Sequence, residues 1–150
     1  MKTTIKRLLF RSWSIFLLFL SSCARMVGPD YDAQLADTEW ILFEYGDVEA
    51  PTQVVDGTVV TLQFKPDGLV GGSGGCNVFS TKCEVSEGVI TFIDIEATLR
   101  ACQDGELAAQ EKAYFDALSQ ANRYERSGDV LRIWYGEGQS VLIFDILETP

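Results

Sequence analysis

The chain contains no histidine, so the commonest general base and a leading metal ligand are both missing. Serine-nucleophile chemistry, which leans on such a base, has no visible partner here. Basic side chains are also scarce: 12 Lys and Arg stand against 22 Asp and Glu, a formal charge of −10. That balance keeps a domain soluble and argues against nucleic acid or anionic lipid as partners. A basic partner is compatible with it, although a solvated acidic surface explains it as well. No apolar run is long enough to span a bilayer, and no internal repeat or second domain shows. The four cysteines include no CxxC pair, the spacing that marks many zinc sites.

What is present centres on one glycine-dense stretch, Asp67-Gly68-Leu69-Val70-Gly71-Gly72-Ser73-Gly74-Gly75-Cys76-Asn77. Glycines this close together suit bends and close packing that a Cβ would forbid. Gly71-Gly72-Ser73-Gly74-Gly75 fits G-x-S-x-G letter for letter, but no helix-forming run follows it as a nucleophile elbow requires. A phosphate cradle would lead into Lys-Ser/Thr and a helix, whereas Cys76-Asn77-Val78-Phe79 leads into strand-like alternation. Gly71, Gly72, Gly74, Gly75 and Asn77 are therefore read as a structural turn or bulge that ends in a tethered cysteine.

The N-terminus has the form of an export signal. Lys2, Lys6, Arg7 and Arg11 precede the short apolar core Trp13-Ser14-Ile15-Phe16-Leu17-Leu18-Phe19-Leu20. The core ends at Leu20-Ser21-Ser22-Cys23, which resembles the bacterial lipobox, whose cysteine is lipidated and becomes the new N-terminus. Residues 1–22 are expected to be a lipoprotein signal peptide, and residues 23–37 a lipidated (palmitate-bearing) end and linker, followed by one domain over residues 38–150. Each buried methylene of such an anchor contributes about 0.8 kcal/mol, so two or three chains give lasting attachment without a span. Ala24, rather than Asp, after the cysteine implies the outer membrane, facing the periplasm, by similarity to enteric lipoproteins. Loss of residues 1–22 removes four basic and no acidic side chains, taking the charge from −10 to −14.

The domain reads as mainly β. Strands are expected over Thr38-Glu39-Trp40-Ile41-Leu42-Phe43-Glu44-Tyr45, around Val60, Leu62 and Phe64, and along Phe79, Thr81, Cys83 and Val85, which share one face. Further strands follow at Val89-Ile90-Thr91-Phe92-Ile93, Val130-Leu131-Arg132-Ile133-Trp134-Tyr135 and Val141-Leu142-Ile143-Phe144-Asp145-Ile146. Between them Asp104 caps a helix reaching about Gln120, with Leu107, Ala108, Glu111, Tyr114, Phe115 and Leu118 on its packed face. About seven antiparallel strands and one helix imply a strongly curved sheet or partly closed barrel, with the helix across its open side.

If lipid takes Cys23, then Cys76, Cys83 and Cys102 permit three single-bridge pairings in an oxidising compartment. A zinc site lacks both spacing and histidine. Asp94 and Glu96, two apart on a strand, could do acid-base work or bind calcium, or form a solvated edge. No cofactor, metal or catalytic set is expected.

Trp40-Ile41-Leu42 with Gly46, Thr61-Leu62-Gln63-Phe64, Gly75-Cys76-Asn77, Thr98 through Ala101-Cys102, the helix and the last strand resemble the META domain family of HslJ-like bacterial envelope lipoproteins. Departures fall at Thr81-Lys82-Cys83, where Gly-x-Tyr is usual, and at Arg100, where methionine is common. The resemblance implies a non-catalytic, outer-membrane-anchored module with a binding or stress-related (heat shock) role toward an envelope protein or small ligand. It also implies a fold like that of secretin-pilot lipoproteins, so an assembly role is the alternative and a carboxylate-dependent enzyme the third. It favours the disulfide Cys76–Cys102, which would pin the helix start to the glycine turn. Closing that loop restricts the unfolded chain by roughly 3.5 kcal/mol, against about 2.5 kcal/mol for Cys76–Cys83. Cys83 would remain a buried, reduced small hydrophobe.

Overall fold

The computed structural model describes residues 34–147. Cys23, the signal peptide and most of the linker lie outside those residues. The elements run β1 (Thr38–Asp47), β2 (Thr52–Gln53), β3 (Thr61–Phe64), β4 (Leu69–Ser73), β5 (Val78–Ser86), β6 (Val89–Ala97), α1 (Gly105–Ser119), β7 (Arg123–Ser127), β8 (Val130–Tyr135) and β9 (Ser140–Ile146). Eight strands form one antiparallel path, β6-β5-β4-β3-β1-β9-β8-β7, with β2 added on β1. Short turns join successive strands from β3 to β6 and from β7 to β9, while β1 sits between β3 and β9 and joins the two halves.

Right-handed twist curls this sheet into a half-barrel. Its two edges approach where the Tyr124 amide, on β7, donates to the Gly88 carbonyl in the β5–β6 turn at 2.9 Å. Period-two alternation sends one face inward, most plainly on β5, where Phe79, Thr81, Cys83 and Val85 are buried and their neighbours exposed. Trp40, Leu42, Leu62, Phe64, Ile90, Leu131, Ile133, Leu142 and Phe144 complete the core around Tyr114 and Leu118 of α1.

Two bulges bend the strands. The β1–β9 register shifts between Leu42 and Glu44, and the β5–β6 register shifts between Ser80 and Lys82, opposite Asp94 at φ 55°. Thr81 supports the second bulge, its hydroxyl donating to the Ile93 carbonyl at 2.7 Å. That gives a local account of threonine at a position where the family resemblance leads one to expect glycine.

α1 begins as expected, Asp104 accepting from the Glu106 amide at 2.7 Å. Its packed face differs in detail from the sequence reading. Ala108 is exposed, and Gln110 and Ala117 are buried in the row with Glu111, Tyr114 and Leu118. Polar Gln110 conceals that row from a hydrophobic-period reading. The packed chain also reaches upstream of Thr38: Leu35 is fully buried, and the Thr38 hydroxyl donates to its carbonyl at 2.6 Å. β2, two residues long, is too short for any period to register. β6 lies at the sheet edge, since the chain leaves it for the helix and restarts at the opposite edge.

Candidate functional site: a disulfide-pinned turn on a buried carboxylate

The glycines divide between two tasks. Gly71 and Gly72 lie within β4, opposite Ser80 and Phe79, rather than in the turn itself. A Cβ on Gly72 would stand 2.1 Å from the Thr61 carbonyl oxygen, so only glycine lets β3 come so near. The turn proper is residues 74–77, closed by the Gly74 amide donating to the Asn77 carbonyl at 2.7 Å. Gly75 adopts φ +103°, beyond the reach of an L side chain without strain. A Cβ on Gly74 would meet Glu111 Oε2 at 2.7 Å and Phe115 at 2.8 Å, so the turn lies directly on the helix. Ser73 ends a strand, and its hydroxyl accepts from the Gly75 amide at 3.1 Å.

Glu111 is the centre of the arrangement. The residue is only 7% exposed, and its carboxylate accepts from the Cys76 amide at 3.0 Å, the Asn77 amide at 2.5 Å and Asn77 Nδ2 at 2.7 Å. Among the described residues the only ion pair is the exposed Lys112–Asp116 pair, so amide dipoles rather than a cation balance the buried charge. Asn77 is used completely. Its Oδ1 accepts from Thr98 Oγ1 and from the Arg100 amide, both at 2.8 Å, and its Nδ2 reaches the Arg100 carbonyl at 3.2 Å. The Arg100 guanidinium donates to the Cys76 carbonyl, an interaction the more usual methionine cannot make.

Cys76 and Cys102 are joined by a disulfide with a Cα–Cα distance of 5.7 Å, and Cys83 is free and buried. The pairing implied by the resemblance is the one observed. Glu111 Oε1 stands 3.7 Å from Cys102 Sγ, so disulfide, carboxylate and asparagine form one block. Next to it Gln110, 2% exposed, accepts from the Val55 amide at 2.5 Å and donates to Thr58 Oγ1 at 3.2 Å. One turn further along α1, the buried Tyr114 phenol donates to the Thr61 carbonyl at 3.1 Å. Burial raises its pKa well above the usual tyrosine value.

In the sequence Glu111 falls on the expected packed face with nothing to mark a role, and Gln110 lies off that face. The available signal was an acidic side chain within an otherwise apolar helical row. Asp94 and Glu96 do not join this site. Both are exposed, and they share an open groove of about 280 Å³ with Lys65, Lys82 and Ser80.

A curled antiparallel half-barrel whose single helix is stapled by a disulfide to a glycine-rich turn defines a compact class of β domain. The META domain family model matches residues 33–146, and the chain belongs to that family. No curated protein sequence matches it. Among solved structures, an NMR structure of a protein from Burkholderia xenovorans is similar at 21% identity with a TM-score of 0.65, over 77% of this chain and 86% of that one. A crystal structure of a DUF4847 family protein from Bacteroides vulgatus is similar at 12% identity with a TM-score of 0.56, over 77% of this chain and 96% of that one. At such identities the likeness speaks for the fold alone.

Proposed function

We propose that this META domain is a non-catalytic envelope module, held by lipid on Cys23 at the outer membrane and facing the periplasm, that binds an envelope protein or small ligand in a stress-related role. The observation that carries the non-catalytic part is how the polar groups at the family motif are spent. Glu111, Asn77 and Gln110 engage backbone and neighbouring side chains inside the fold. A catalytic carboxylate or amide must instead face a substrate. The anchor rests on Leu20-Ser21-Ser22-Cys23 behind a short apolar core.

An assembly role of the pilot type has one observation in its favour. Leu99, 98% exposed, projects from the segment that holds Asn77, and the adjacent Thr98 amide donates to the carbonyl of Val78, itself 56% exposed, which gives an apolar contact point for a protein partner. Metabolic labelling with a palmitate analogue, followed by membrane fractionation, tests the anchor. The wild-type chain is expected to carry label and sediment with outer membranes, and Cys23→Ala to lose both; normal cleavage and sedimentation of the variant would refute the anchor. Crosslinking in whole envelopes, with Leu99→Asp as the comparison, tests the partner, and no captured species dependent on Leu99 would count against the assembly role.

A further inference from the structure

The geometry points to a redox-gated metal site: once the Cys76–Cys102 disulfide is reduced, its two sulfurs and the Glu111 carboxylate form a three-ligand pocket for a thiophilic divalent cation of the zinc class. The ligand atoms already stand close together, all within 4.8 Å of one another. Zn–S near 2.3 Å and Zn–O near 2.1 Å at a tetrahedral angle put sulfur and oxygen about 3.6 Å apart. Cys102 Sγ and Glu111 Oε1 are 3.7 Å apart now. Only the two sulfurs must move, parting from bonding distance, and a Cα–Cα distance of 5.7 Å leaves that to side-chain rotation.

The surroundings suit such a site. Glu111 is held from behind: Asn77 Nδ2 donates to Oε1 and two backbone amides donate to Oε2, so the carboxylate is oriented before any cation arrives. Both cysteines are half-buried, which leaves access for a reductant and an open fourth position for water, the pattern of a three-ligand zinc centre. With no histidine in the chain, thiolate and carboxylate are the strong zinc ligands it has to offer.

The chemistry balances with a dithiol as reductant. It gives two electrons and two protons to the S–S bond, leaving two protein thiols and its own cyclic disulfide. The cation then displaces both thiol protons and forms two metal–sulfur bonds and one metal–oxygen bond. In the oxidised protein the sulfurs are bound to each other and the site is closed.

The test uses the full-length chain in detergent, carrying Cys23→Ser to remove an unrelated thiol, and Co²⁺ as a spectroscopic stand-in for Zn²⁺. After reduction with a phosphine, which ends as its oxide with oxygen from water, one Co²⁺ per chain should bind with thiolate-to-cobalt charge-transfer absorption that Zn²⁺ abolishes. The oxidised chain should show none. Cys102→Ser and Glu111→Gln should each weaken binding by roughly tenfold or more, while Cys83→Ala should leave it unchanged. The reduced and oxidised wild-type comparison needs no folded variant. Absence of the band after reduction, its presence in the oxidised chain, wild-type affinity in Cys102→Ser or Glu111→Gln, or loss of far-UV circular dichroism on reduction alone would each overturn the site.

Discussion

A buried side chain is best understood by what it leaves behind when removed. Glu111→Ala would strand the Cys76 and Asn77 amides without an acceptor and take from Asn77 Nδ2 its shortest one, leaving it the Arg100 carbonyl. We expect a loss of about 3–5 kcal/mol, read as a lower urea midpoint. Tyr114→Phe keeps the ring among Phe79, Phe115 and Phe144 and removes one hydrogen bond, so it should cost only about 1 kcal/mol. If the two variants proved equally stable, the carboxylate would not be the keystone of the turn. Cys83 offers a pH test. Burial, with a smaller contribution from the Glu84 charge, pushes its thiol from 9.0 up to about 12. The folded state therefore retains a proton that the unfolded state loses, and the stability tied to it is intact below pH 9 and falls as pH rises from about 9 toward 12. Alkylation of Cys83 at pH 9 should accordingly be slow in the native protein and fast in urea; equal rates would place the thiol at the surface.

At the scale of elements, most of this fold is legible in the sequence because most of it is local. β5 shows clean alternation, and the Lys65-Pro66-Asp67-Gly68 and Ser86-Glu87-Gly88 turns carry their own residue chemistry. Asp104 announces the helix by the cap it makes. The site is less legible because it is non-local: Asn77 and Glu111 are 34 residues apart, and neither has a period or spacing that binds it to the other. The glycine run was legible as a need for small residues, but not its division between strand and turn. Gly72 is glycine because a neighbouring strand presses on it, and such a neighbour is invisible in one dimension. Substitution separates the two tasks. Gly72→Ala must displace the Thr61 backbone and should abolish the folded state at physiological temperature. Gly136→Ala, where a Cβ meets nothing within 4 Å at φ +56°, should cost only about 1 kcal/mol, the penalty of a left-handed alanine. Thermal melts of the pair would show whether packing or backbone conformation dominates; a milder effect at Gly72 would contradict the close-approach account.

For the whole molecule, the decisive feature is how the halves are joined. β1 lies between β3 and β9, so the early hairpins and the closing hairpin meet on one strand, and neither half buries its inner face without the other. Such dependence favours a single cooperative transition. The disulfide acts on this unit by spanning 26 residues, from the turn after β4 to the start of α1. That loop encloses the whole β5–β6 hairpin, which carries one edge of the sheet. In the chain-entropy model a loop of this length contributes roughly 3.5 kcal/mol, whereas the hydrogen bonds of Glu111 and Asn77 hold the same turn to the same helix without it. Cys76→Ser with Cys102→Ser should therefore give a protein that still folds, with a urea midpoint lowered in proportion to about 3.5 kcal/mol, one transition, and nearly the same far-UV circular dichroism. Two separated transitions would mean that the hairpin and helix had uncoupled from the sheet, making the disulfide rather than the buried carboxylate the element that unites them.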